Sequence, residues 1–152
     1  MTDGINVYIV GGDDFALNDN SGGNTNTFMY DVSAGMWVNG PALNVPRWNA
    51  GCTFDRDGVN AYIFGGSGPT RDTVLNSIEK LTGKVGGQWD TLTAILGTPR
   101  SHSPCIVDRY SSQTDGPLIP FIYCVGGRTG APRMIIQSVE VFNPINDTIL
   151  VG

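Results

Sequence analysis

The chain has 152 residues, enough for one domain with a sizeable core and no need of disulfide or metal staples. A hydrophobic share of 40% against 15% charged residues excludes a disordered chain, and a formal charge of −5 with only two lysines, Lys80 and Lys84, excludes a protein that tracks a nucleic-acid backbone. The longest apolar runs, such as Phe121 to Val125, are strand-length and far short of the roughly 20 residues a membrane helix needs, so neither membrane insertion nor a signal segment is expected.

Taken in chain order, short apolar runs alternate with turn residues. Val7-Tyr8-Ile9-Val10 predicts a strand that ends in the pair Gly11-Gly12. Asn26 to Asp31 predicts the next strand, and a turn at Ser33-Ala34-Gly35 leads to a strand holding Trp37. A strand from about Trp48 to Phe54 follows Pro46-Arg47, and a hairpin at Asp55-Arg56-Asp57-Gly58 joins it to Ala61-Tyr62-Ile63-Phe64, ending in Gly65-Gly66. Ser77 to Thr82 and a strand with Trp89 come next. The series then begins again: Pro99-Arg100, a strand from Ser101 to Asp108, a hairpin lengthened by Arg109 to Pro117, Ile122-Tyr123-Cys124-Val125 with Gly126-Gly127, and Ser138 to Asn143.

These segments are copies of one motif, with glycine pairs 54 and 61 residues apart. Pro46 to Cys52 aligns without a gap on Pro99 to Cys105. Glu79 and Glu140, the only glutamates, occupy the same repeat position, and Trp37, Trp89 and Ile149 follow the third strand at a spacing of seven or eight residues. The Gly-Gly pair after an aromatic-containing strand, the aromatic–Trp spacing and the Pro-Arg block resemble the kelch repeat, with Leu81 in place of the usual Tyr and Ile149 in place of the usual Trp.

That resemblance covers nearly the whole chain and implies an all-β fold: a β-propeller built from four-stranded antiparallel kelch blades, about three of them, an incomplete ring. The expected division is one propeller segment over 1–152, with a partial blade at 5–40 opening at its second strand and full blades at 41–93 and 94–152. Exposed blade faces must be covered, either by further blades of a larger chain or by copies of this one, two of which make six blades.

The chemistry-bearing residues mostly have structural readings. His102, the only histidine, lacks an orienting acid and an oxyanion site for its neighbours Ser101 and Ser103, so no catalytic residue is expected. No ligand spacing points to a metal, and no cofactor is expected. The copper enzyme galactose oxidase is similar only in its propeller repeats, and its type of site needs more histidine than this chain holds. Glu79 and Glu140 are expected to accept hydrogen bonds from Arg47 and Arg100, and Trp37 and Trp89 to pack between blades. Cys52, Cys105 and Cys124 read as buried free thiols, with a Cys105–Cys124 bridge as the alternative. Asn146-Asp147-Thr148 forms a sequon, and the compartment stays open.

Function is then expected on loops, as a protein-interaction or scaffolding module. By strand parity, the connections after each glycine pair and before each Pro-Arg block share one face. The partner-binding candidates there are Asp13, Asp14, Trp48, Arg71, Asp72, Arg128 and Arg133. The alternatives are a propeller enzyme whose active site draws on other blades and an extracellular carbohydrate-binding propeller.

Overall fold

A computed structural model describes residues 1–13, 22–70, 72–108, 120–130, 132 and 134–150. The chain is all-β, and among the described residues the one helical element is a 3-10 turn at Lys84–Gly86. A first sheet holds β1 (Val7–Val10), β2 (Thr27–Asp31) and β3 (Met36–Asn39), in that order. A middle sheet holds β4 (Gly51–Phe54), β5 (Ala61–Phe64), β6 (Ser77–Thr82) and β7 (Gln88–Ile95). The last sheet begins with β8 (Cys105–Val107) and β9 (Ile122–Val125). A two-stranded ladder of β10 (Arg128–Thr129) and β11 (Met134–Ile135) precedes its remaining strands, β12 (Val139–Asn143) and β13 (Thr148–Leu150). Every pairing is antiparallel between strands that follow one another in the sheet, as the turn residues between the apolar runs require.

The side chains of each strand alternate between two faces, and the middle sheet uses both. Toward the first sheet it presents Phe54, Ala61, Ile63, Leu81 and Trp89, which form one core with Tyr8 and Met29. Toward the last sheet it presents Tyr62, Phe64 and Ile78, which form a second core with Val107, Ile122, Cys124 and Phe142. All four residues of β5 are therefore buried, whereas β1 and β9 alternate between covered and exposed positions.

Aromatic rings lock both layers. Tyr8 lies 4.9 Å from Phe54 in the first, and Tyr62 lies 5.3 Å from Phe142 in the second. Ion pairs span the same junctions, Asp3 with Lys84 at 2.8 Å and Asp147 with Lys80 at 3.0 Å.

The glycine pairs make these junctions possible. Gly11 and Gly65 have φ of 64° and 57°, a region open to glycine, and a Cβ on either would collide with the carbonyl oxygen of Arg47 or Arg100 in the next repeat. The following amides use that approach: Gly12 N–H donates to the Arg47 carbonyl at 2.9 Å and Gly66 N–H to the Arg100 carbonyl at 2.8 Å.

Several sequence expectations need correction. The strands after the Pro-Arg blocks begin at Gly51 and Cys105, later than Trp48 and Ser101, because Asn49 and His102 adopt φ of 50° and 55° and cannot continue a ladder. Cys105 and Cys124 are not free thiols: they stand directly opposite in the β8–β9 register and form a disulfide, which leaves Cys52 as the free thiol. Trp89 is buried as expected, its Nε1 donating to Thr27 Oγ1 at 3.2 Å across the first junction. Trp37 instead is 48% exposed, because among the described residues no sheet covers that side of β3. Finally, Met1 exchanges two backbone hydrogen bonds with Tyr8, at 2.8 and 3.0 Å, so Met1-Thr2 supplies a short stretch of pairing beside β1 that two residues are too few to announce.

Candidate functional site

The loop face is held by a buried ion pair repeated in two sheets. Arg47 leaves the connection into β4, and its guanidinium donates to the carbonyls of Gly65 and Ser77, to Ser77 Oγ and to Glu79 Oε1, the last at 2.6 Å. Arg100 does the same at β8, donating to the carbonyls of Gly126 and Ser138, to Ser138 Oγ and to Glu140 Oε1. Each glutamate also accepts from the chain entering its sheet: Glu79 from the amides of Asn44 and Val45, Glu140 from those of Gly97 and Thr98. Both glutamates and both arginines thus do the structural work expected of them. With Arg47 and Glu79 fully buried, the pair is favourable only because every remaining donor and acceptor finds a partner. Burial pulls the Arg47 guanidinium below its ordinary value, while the Glu79 charge and hydrogen bond draw it back.

These anchors fix the loops after the glycine pairs. Each loop opens with the same narrow antiparallel pairing: Asp13 with Gly23, Ser67 with Val74, and β10 with β11. The loops are then stitched to the Pro-Arg blocks by Asn24 with Arg47, Trp48 with Ser67 and Ser101 with Arg128. Gly22 and Gly23 also donate to the carbonyls of Pro69 and Gly68, joining the loops of the first two sheets.

The structure therefore brings Asp13, Trp48 and Arg128 onto one face, with Trp48 half-buried and Arg128 exposed. Asp72 is exposed on the loop after Gly66. Asp14, Arg71 and Arg133 lie outside the described residues.

Among the described residues, the buried side-chain polar atoms without a hydrogen-bond partner are both carboxylate oxygens of Asp13 and Nε1 of Trp48. The two are complementary in kind, acceptors on one residue and a donor on the other. Leaving such groups unpaired costs about 1–3 kcal/mol each. Sequence reasoning selected both residues for their loop position, but no sequence signal marks the missing partners. That depends on which backbone groups the fold turns away.

His102 belongs to this face as a structural element. Its ring lies 2.9 Å from Asn49 Nδ2 and 3.3 Å from Ser101 Oγ, and its centroid is 6.4 Å from that of Trp48. Among the described residues no group of three or more His, Cys, Asp or Glu side chains could hold a metal ion. A separate, mostly apolar cavity of about 580 Å³ lies along the leading strands of the sheets, lined by Met1, Cys52, Thr53, Ile106, Asp108 and Tyr123 among others. Sequence reasoning did not locate it. Burial pushes the Cys52 thiol up, away from the reactive thiolate.

A solved structure titled "Structure of YjhT" superposes on 98% of this chain with a TM-score of 0.72 at 16% sequence identity. The likeness is one of fold. This chain spans 48% of the YjhT chain, about half its length. No family model matches the chain, and no curated protein matches it.

Proposed function

We infer that the three sheets are blades of a kelch-type β-propeller and that the face carrying Asp13, Trp48, Asp72 and Arg128 binds a protein partner. The repeated Gly-Gly, Arg–Glu and Trp landmarks, now tied to equivalent places in successive sheets, support the kelch reading. One observation carries the binding reading: a half-buried Trp48 stands with exposed Asp72 and Arg128 on loops that the bridges Trp48–Ser67 and Ser101–Arg128 tie to the sheets. Half-buried Trp and exposed Arg are the residue types on which interfaces concentrate their energy. His102, the titratable ring beside Trp48, is engaged by Asn49 and Ser101, which favours a recognition surface over a catalytic one.

Trp48→Ala and Arg128→Ala separate binding from folding. Neither residue belongs to the two cores between the sheets, so the fold should persist in both variants. Proteins captured by the wild-type chain should bind each variant about tenfold more weakly, the equivalent of roughly 1.4 kcal/mol. Equal capture by the wild-type chain and both variants would contradict the reading.

A further inference from the structure

Among the described residues two sheet faces are left uncovered, one at each end of the series. On the first sheet, Val7, Ile9, Phe28, Tyr30 and Trp37 point away from the middle sheet, and Ile9 and Trp37 are 51% and 48% exposed. On the last sheet the outward side chains are Ile106, Tyr123, Val125, Val139, Val141 and Leu150, with Ile106 64% and Val139 49% exposed. Monomers rarely expose contiguous apolar patches beyond a few hundred Å². Both of these faces expose several large apolar side chains.

The register shows what each face fits. At both internal junctions, the face of one sheet that carries the motif Tyr packs on the opposite kind of face of the following sheet. Tyr8, Val10 and Met29 meet Ala61, Ile63 and Trp89; Tyr62, Phe64 and Ile78 meet Ile122, Cys124 and Phe142. The two free faces are one of each kind. The last sheet offers the Tyr123 side, at the positions of Tyr8 and Tyr62. The first sheet offers Val7, Ile9 and Trp37, at the positions of Ala61, Ile63 and Trp89.

We propose that a second copy of this chain covers these faces, the last sheet of each copy seating on the first sheet of the other, so that two arcs close into a ring of six sheets. Trp37 then lies over Val139 of the second copy, as Trp89 lies over Thr27 within the chain. Among the described strand positions no buried charge opposes the contact, because Phe28 stands where Glu79 and Glu140 stand, and Val141 and Leu150 stand where Lys80 and Asp90 stand. The span agrees: the YjhT fold that takes up nearly all of this chain has room for about two such arcs. Each contact joins unlike faces, and only closure after two copies prevents open growth.

Native mass spectrometry and sedimentation of the 152-residue chain should give a dimer of twice 16.2 kDa. Trp37→Glu and Val139→Glu alter opposite faces at exposed positions, so circular dichroism should stay that of the folded chain while each variant alone becomes monomeric. Because the faces are unlike, an equimolar mixture of the two variants keeps one intact junction and should give a cross-linkable heterodimer. A wild-type monomer, a ladder of growing oligomers, dissociation by only one of the two substitutions, or no heterodimer in the mixture would each overturn the proposal.

Discussion

Ile63 and Ile9 occupy the same place in successive copies of the motif, yet Ile63 is 1% exposed in the middle sheet and Ile9 is 51% exposed in the first. The same divergence separates Trp89 from Trp37. Strand sequence alone does not distinguish the members of either pair. What differs is the neighbour: among the described residues the middle sheet has one on each side, and each outer sheet has one only. In this architecture a residue's burial is set by its repeat position together with the place of its repeat in the series.

The strongest way to break that comparison is to unpair the buried charges. Glu79→Ala leaves Arg47 uncompensated at full burial and should cost on the order of 3–5 kcal/mol in urea unfolding. Glu140→Ala should cost clearly less, because the Glu140 side chain is already 13% exposed and water can reach the site. Equal losses would show that the two pairs sit in equally dry surroundings.

Ile63→Ala and Ile9→Ala sharpen the same contrast in apolar terms. The first opens a cavity between two sheets and should cost about 2–5 kcal/mol, the second less than about 1 kcal/mol when the chain is dilute enough to be monomeric. A comparable cost at both positions in the monomer would mean that the outer face of the first sheet is already covered within the chain.

The smallest effect belongs to the ion pair across the first junction. Burial would raise the Asp3 carboxyl, but hydrogen bonds from Lys84 Nζ and from the amides of Asn6 and Ile5 outweigh it and hold the group at about 2, below its ordinary 3.8. A depressed carboxyl stabilises the fold above its unfolded value, and that stabilisation is lost as pH falls from about 4 through about 2. Lys84→Ala should shrink this acid-sensitive part of the stability by less than about 1 kcal/mol, since Lys84 is 40% exposed and its charge is screened. Identical acid titrations of stability for the two chains would remove Lys84 from the account.

The strand order and the Arg–Glu pairing are legible in the sequence because each is stated more than once. A carboxylate and a guanidinium that recur together at fixed repeat positions imply a shared task. Features stated once are less legible. An odd cysteine count leaves the Cys105–Cys124 bridge as the alternative to free thiols, and the direct pairing of the two residues across β8 and β9 decides it. The late starts of β4 and β8 follow from positive φ at Asn49 and His102, residue types that tolerate that region without demanding it. At the candidate site, loop position singles out Asp13 and Trp48, but their unpaired atoms emerge only once the surrounding backbone has spent its donors and acceptors elsewhere.

Sideways packing of the repeats brings together rings far apart in the chain, Tyr62 with Phe142 at 5.3 Å and Tyr8 with Phe54 at 4.9 Å. Aromatic cross-relaxation in the NMR spectrum of the folded protein reads these contacts directly, whatever the oligomeric state. The account predicts a cross-peak for each pair, one per internal junction. A spectrum rich in β-sheet contacts but lacking both cross-peaks would show that the sheets form without stacking on one another.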